Sequence, residues 1–224
     1  MFSDTMEDYL KAIYVLQTES GPPVSTSEIA EYLDKTPPTV TSMVNSLAEH
    51  DLIAHEKYKG VELTDEGETV ALEVIRHHRL LETYLTEHLD YDWHEVHEEA
   101  DALEHHISEE FERRVAEALD NPSVDPHGDP IPGVELDPIE ADAAVRLTEF
   151  AASDHVVVSR VSDRDDEELT YLEEAGITPG TELEIVDIAP FGMITVETAD
   201  GNEQSLPESV ARSIRVEPVD EAVA

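Results

Sequence analysis

The chain has no cysteine, only four lysines and one tryptophan among 224 residues, and no apolar run approaching the 18 residues that would signal a membrane span. Without cysteine there is no disulfide, no thiolate metal ligand and no thiol nucleophile. The opening Met1-Phe2-Ser3-Asp4 lacks the charged-then-apolar pattern of a secretory leader, so a cytoplasmic location is expected. Basic residues are scarce as a class: 13 Lys and Arg face 54 Asp and Glu, a formal net charge of −41. Such a surface repels itself in dilute buffer. At molar salt, where the Debye length is about 3 Å, the repulsion is screened. The composition therefore reads as halophilic, from a salt-loaded cytoplasm. The acidity is spread along the chain rather than gathered in a block, which disfavours an acidic scaffold or nucleic-acid mimic. With 40% hydrophobic residues the chain can build cores, and its length suits one large domain or two to three small ones.

Histidine is distributed unevenly. Residues 77–106 hold seven of the eleven. Within that stretch His97, Asp101, Glu104 and His105 stand at offsets of 4, 7 and 8, which place all four on one face of a predicted helix. Imidazole and carboxylate together suit a divalent first-row transition metal. A polar outer face would use the same residue types, so the stripe alone leaves both readings open.

Periodicity organises the rest. Residues 4–18 read as a helix with Met6, Tyr9, Leu10, Ile13 and Leu16 on its apolar side. Ser25-Thr26-Ser27-Glu28 is a capping box opening a short helix. Thr36 and Pro37 begin a third helix through Val40, Met43, Val44 and Leu47, and a short hairpin over 52–63 follows. This is a winged helix-turn-helix pattern. Thr64 is expected to cap a long helix to about Leu89, Asp92 the ligand-bearing helix to about His106, and Ser108 another ending near Leu119. Residues 122–138, with five Pro and two Gly, read as a linker or surface loop. Beyond 150, the runs 155–161, 182–188, 194–198 and 214–216, with a helix near 166–175, suggest a small, partly open β-barrel.

The third helix breaks the acidic rule. From Lys35 to Ala48 there is no Asp or Glu, and all four lysines (Lys11, Lys35, Lys57, Lys59) lie in the first sixty residues. Carboxylates facing phosphates would repel, so a DNA-facing helix needs this exception. Lys35, Thr36, Pro38, Thr39, Thr41, Ser42 and Asn45, with Lys57 and Lys59 at the wing tip, form the candidate DNA-binding set.

Several motifs resemble one family: Thr5-Met6-Glu7-Asp8-Tyr9-Leu10-Lys11-Ala12-Ile13-Tyr14, Pro38-Thr39-Val40, Leu63-Thr64-Asp65-Glu66-Gly67, His78-Arg79-Leu80, Val96-His97-Glu98-Glu99-Ala100, Glu104-His105 and Pro130-Ile131-Pro132-Gly133. The chain is identified as an acidic, halophile-type member of the diphtheria-toxin-repressor family of iron- or manganese-dependent regulators, densely over 4–133 and more loosely over 150–218. The resemblance implies a mainly α fold with a small β part. Its domains would be a winged helix-turn-helix over 1–72, a helical dimerisation and metal domain over 73–138, and an SH3-like domain over 150–218. It implies a homodimer on a pseudo-palindromic operator with Mn(II) or Fe(II) as co-effector. The primary site would use Asp8, Asp101, Glu104 and His105, and a second site His78, Glu82 and His97. Oxygen at Asp8 and Asp101, where the iron branch has sulfur, resembles the manganese branch. Lys11 stands where that branch has a carboxylate, against a paired two-metal site. Arg160 falls where a carboxylate would complete the second site, leaving Asp163 as a weaker candidate. Val96, Ala100 and Leu103 form a second stripe expected to serve the dimer.

Rival readings fare worse. A carboxylate-bridged two-metal enzyme would need Glu-x-x-His pairs and a zinc hydrolase His-Glu-x-x-His, and the chain contains neither. A metal-independent winged-helix regulator remains as the alternative.

Overall fold

The computed structural model describes residues 2–56, 59–139, 143–190 and 192–219. Two compact units emerge, and the chain weaves between them: Met1–Leu81, Asp101–Asn121 and Ile131–Ala141 in one, Glu82–Ala100, Pro122–Pro130 and Asp142–Ala224 in the other.

In the first unit, helix α1 (Asp4–Ser20) starts where the Ser3 hydroxyl accepts from the Met6 N–H. It buries Tyr9, Leu10 and Ile13 almost completely. The expected capping box opens α2 (Thr26–Tyr32): Ser25 Oγ accepts from Glu28 N–H, and the Glu28 carboxylate accepts from Ser25 N–H. Helix α3 (Pro37–Glu49) has Pro at its first position and buries Val40, Val44 and Leu47, spaced to lie along one side. Strands β1 (Ile53–Glu56) and β2 (Gly60–Leu63) form the antiparallel wing, and Val24 pairs with Val61 on the far side of β2. Gly60 is required there: its φ is +119°, and an added Cβ would come 2.5 Å from the Val24 carbonyl oxygen. Together these elements share one core with the start of α4 (Asp65–Leu89).

Two differences from the sequence reading concern the site. The ligand-bearing helix is short: α5 spans Val96–Leu103, residues 93–95 form a turn before it, and Glu104 and His105 lie in the turn after it. The turn lets these side chains point where a straight helical stripe could not. The segment 122–138 is no mere linker or surface loop, because it drives Asp125 and His127 into the interior, at 6% and 0% exposure. Helix α6 (Glu109–Ala118) begins at the Ser108 cap as expected.

The second unit is built on an antiparallel sheet in the order β3-β8-β4-β5-β6-β7. The strands are β3 (Val145–Arg146), β4 (His155–Val161), β5 (Glu182–Ile188), β6 (Ile194–Thr198), β7 (Glu203–Leu206) and β8 (Ile214–Pro218). Alternating Val156, Val158, Leu183, Ile185, Ile194 and Val196 fill its core with Leu169 and Leu172 of α7 (Asp166–Glu174). Strands β3 and β7 and helix α8 (Glu208–Ser213) were not foreseen. The first is two residues long, and Glu203-Gln204-Ser205-Leu206 is too polar to read as a strand. Among the described residues no helix is long and apolar enough to cross a membrane.

Candidate metal centre

Helix α1 buries one side and offers Glu7, Asp8 and Lys11 on the other. The turn after α5 meets it there. His105 Nε2 lies 2.9 Å from Asp8 Oδ1 and 3.4 Å from Glu104 Oε1, while His105 Nδ1 lies 2.7 Å from Glu7 Oε2. One donor atom each from Asp8, Glu104 and His105 falls within 4.8 Å of the others. Glu104 is 1% exposed, yet its carboxyl is held below the usual range. Burial pushes it up, and the neighbouring His78 ring and Lys11 ammonium outweigh that. Burial likewise opposes charge on His105, but Glu7, Glu104 and Asp8 raise it above an ordinary histidine. Asp8 is raised, chiefly by desolvation.

Three of the four expected primary ligands therefore converge, and the fourth, Asp101, faces another set. Asp101 Oδ1 lies 3.1 Å from His78 Nδ1, and Glu104 Oε2 lies 2.6 Å from the same nitrogen. Lys11 Nζ stands among them, 3.0 Å from Asp101 Oδ1 and 2.8 Å from Glu104 Oε2. Close by, the His77 ring bonds the Glu104 backbone oxygen at 3.0 Å. Arg76 donates to Glu112 and to the Pro132 carbonyl, both at 2.6 Å, pinning the Pro130–Gly133 segment.

A second grouping lies in the other unit. His97 Nδ1 is 3.4 Å from Glu82 Oε1 and 3.3 Å from Asp163 Oδ2. Glu82, fully buried, also comes within 4.8 Å of donor atoms of Asp125 and His127. The His127 Nε2 bonds the Trp93 carbonyl oxygen at 2.8 Å, and its ring stacks on the Trp93 indole with centroids 5.2 Å apart. Its Nδ1 is buried and has no hydrogen-bond partner among the described residues, lying 3.7 Å from Glu82 Oε2. Burial would lower this histidine, but Glu82, Asp125 and Asp163 push it up to about 9. His78, the remaining expected ligand of this site, sits one helical turn before Glu82 on α4. Asp125 and His127 escaped the sequence reading. Their signal was Asp125-Pro126-His127-Gly128, in which Gly128 (φ +89°) brings its backbone against Ser159 and Arg160 where a Cβ would lie 2.1 Å from a carbonyl oxygen. Arg160 is no ligand; it reaches Asp129 at 3.2 Å.

Both donor sets fit a divalent first-row ion. Each combines carboxylate oxygen with imidazole and contains no sulfur, which suits Mn(II) or Fe(II). In the second, the orphaned His127 nitrogen is the kind of group a metal would satisfy.

On α3, Thr36, Pro38, Thr39, Thr41, Ser42 and Asn45 are exposed, as is Lys35 just before it. The Thr36 and Thr39 hydroxyls bond at 2.8 Å, and Thr41 donates to the Pro37 carbonyl at 2.9 Å. Lys59 is exposed in the wing turn, and Lys57 lies outside the described residues. The stripe assigned to the dimer is not free: Val96 and Ala100 are both 0% exposed within the chain.

Similar proteins are known for the whole length of the chain. Family models match three segments: the iron dependent repressor N-terminal DNA binding domain over residues 1–61, its metal binding and dimerisation domain over 64–133, and a FeoA domain over 145–218. The iron-dependent repressor IdeR of Mycobacterium tuberculosis is 37% identical over 227 residues, covering 96% of this chain and 98% of the relative. The diphtheria toxin repressor of Corynebacterium diphtheriae is 36% identical over 223 residues, covering 96% and 97%. A manganese-dependent transcriptional repressor solved in complex with manganese is 38% identical, with TM-score 0.89, covering 96% of this chain and 100% of that one. The manganese regulator SloR is 34% identical, with TM-score 0.80, covering 96% and 98%. With family models spanning most of its length and relatives alike from end to end, the chain belongs to the iron-dependent repressor family.

Proposed function

We propose that this protein is a metal-dependent transcriptional repressor governing iron or manganese homeostasis, with Mn(II) or Fe(II) as co-effector. One observation carries the reading: Asp8, on a helix of the DNA-binding part, converges with Glu104 and His105 from the turn after α5. A divalent ion held there would cross-link that helix to that turn. Asp8 supplies a hard oxygen, Glu104 a buried carboxylate, and His105 the Nε2 nitrogen, its ring oriented by Glu7 at Nδ1. The second site draws on Glu82 and His97, the expected partners of His78, joined by Asp163, Asp125 and His127. Residues 1–72 would bind DNA through α3 and the wing, 73–138 would carry metal and dimer contacts, and 150–218 would form the SH3-like part.

The sequence suggests that apoprotein opens by repulsion among Asp8, Asp101 and Glu104. Two pairings weigh against this: Lys11 with Asp101 and Glu104, and His105 with Asp8. The carboxylates carry their own counter-charges. Metal control then rests on differential affinity for the arrangement competent for DNA, not on relief of repulsion. A two-fold dimer would place its two recognition helices on successive major grooves, roughly 34 Å apart.

Asp8→Ala tests the coupling. The variant should keep its fold and its basal, nonspecific DNA binding, yet lose the rise in operator affinity that Mn(II) or Fe(II) produces in the parent. An Asp8→Ala protein responding normally would refute the reading.

A further inference from the structure

Lys11 occupies an unusual position for a lysine. Its ammonium lies 3.0 Å from His78 Nδ1, 3.0 Å from Asp101 Oδ1 and 2.8 Å from Glu104 Oε2. An ammonium has three N–H bonds and no acceptor. Here Asp101 and Glu104 accept from it, while His78 Nδ1, 3.0 Å away, is also within bonding distance of the Glu104 carboxylate. The ring nitrogen of His78 in turn bonds the Glu104 carboxylate at 2.6 Å and lies 3.1 Å from Asp101 Oδ1. His78, Asp101 and Glu104 are themselves a metal-competent set, with ligand atoms within 4.8 Å of one another.

We propose that this triad is a divalent-cation site in which the Lys11 ammonium takes the place of the ion, so that one metal, not two, binds alongside α1. The proposal rests on the reading of Asp8, Glu104 and His105 as the neighbouring metal site, with which it shares Glu104. Charge supports it: the carboxylates of Asp8, Asp101 and Glu104 carry three negative charges, balanced by one divalent ion and one ammonium. A second divalent ion held by the triad would have to sit against the Lys11 ammonium, where like charges repel. Lys11 also comes from α1, so this built-in cation ties that helix to Asp101 and Glu104 permanently, whereas the neighbouring ion does so only when bound.

The test counts ions. Wild type, Lys11→Ala and Lys11→Arg are dialysed against Mn(II) in molar KCl, and bound manganese per chain is measured by mass spectrometry, with circular dichroism as the check on folding. Lys11→Ala should hold one more Mn(II) than wild type, and Lys11→Arg, which keeps the charge, should hold no more. If the alanine variant does not fold, Lys11→Gln makes the same comparison. Equal stoichiometry in wild type and the uncharged variant would overturn the proposal, as would a gain in Lys11→Arg equal to that in Lys11→Ala. Wild type that takes up no Mn(II) would instead sink the metal reading of Asp8, Glu104 and His105, while the difference between wild type and Lys11→Ala would still decide the role of Lys11.

Discussion

Glu104 is the residue on which both groupings around α1 depend. One carboxylate oxygen faces His105 and the other faces His78 and Lys11. Glu104→Ala should therefore abolish Mn(II)-stimulated operator binding, and it should also leave the Lys11 ammonium short of its best partner. Breaking one side of a buried ion pair costs roughly 3–5 kcal/mol. Because Lys11 keeps some contact with water, at 20% exposure, the expected loss is near the lower end, about 3 kcal/mol, measured by urea unfolding with chelator present. His78→Ala should weaken the metal response less than Glu104→Ala does, since Asp8, Glu104 and His105 remain. Reversal of that order in a titration of DNA binding would show that the two groupings have been ranked wrongly. Gly128 makes a different demand. Its positive φ and the 2.1 Å clash awaiting any Cβ mean that Gly128→Ala must displace the loop carrying His127. The expected result is a drop in melting temperature and weaker metal retention, with the DNA-binding core unaffected.

At the scale of elements, α2 shows how one local motif sets stability. Removing the cap with Ser25→Ala should cost about 1 kcal/mol. Glu28 is held below the ordinary carboxylate range by the Ser25 hydroxyl and backbone N–H. A depressed carboxylate contributes stability above its unfolded pKa of about 4.3 and loses it as pH falls through the lower folded value. The acid side of the pH–stability curve should thus be less steep in Glu28→Gln than in the parent. This capping box was legible in the sequence, as were the first three helices and most strands of the sheet, because each is specified by neighbours a few positions apart. The site was only partly legible. Four ligands on one stripe assumed that the helix ran through His105; ending it at Leu103 sends His97 to Glu82 and Asp163 and turns Glu104 and His105 toward α1. No periodicity signals that Asp125 and His127 are interior, since a run of prolines and glycines reads as solvent-facing whatever it encloses. Lys11 likewise read only as a departure from a pattern. That its charge fills a ligand cluster follows from residues 67, 90 and 93 positions away.

For the whole molecule the net charge of −41 dictates how DNA can be approached. Ordinary binders lose affinity with a log–log slope near −0.9 per phosphate neutralised. Few cations line α3, and salt relieves repulsion between the acidic body and the duplex, so the two effects oppose each other. Operator affinity should hold or rise from low to molar KCl; a steep fall would show that the exposed hydroxyl and amide strip is not the DNA face. The assembly expected to read a pseudo-palindrome is a two-fold dimer. Sedimentation at micromolar protein in molar KCl with Mn(II) should give twice the chain mass, and a monomer there would remove the basis for paired half-sites. The contact must be sought away from Val96 and Ala100, which the chain already covers.

Helix α1 carries a consequence for how this protein can vary. A surface helix ordinarily tolerates substitution at every third or fourth position, where its outward side meets water. Between Met6 and Tyr14 none remains: Met6, Tyr9, Leu10, Ala12, Ile13 and Tyr14 are committed to packing, and Glu7, Asp8 and Lys11 to charge contacts. A comprehensive substitution scan selecting for metal-responsive repression should find nine consecutive intolerant positions, with no helical rhythm of permissive sites. The same scan selecting only for folded, soluble protein should restore that rhythm, with Glu7 and Asp8 becoming mutable first.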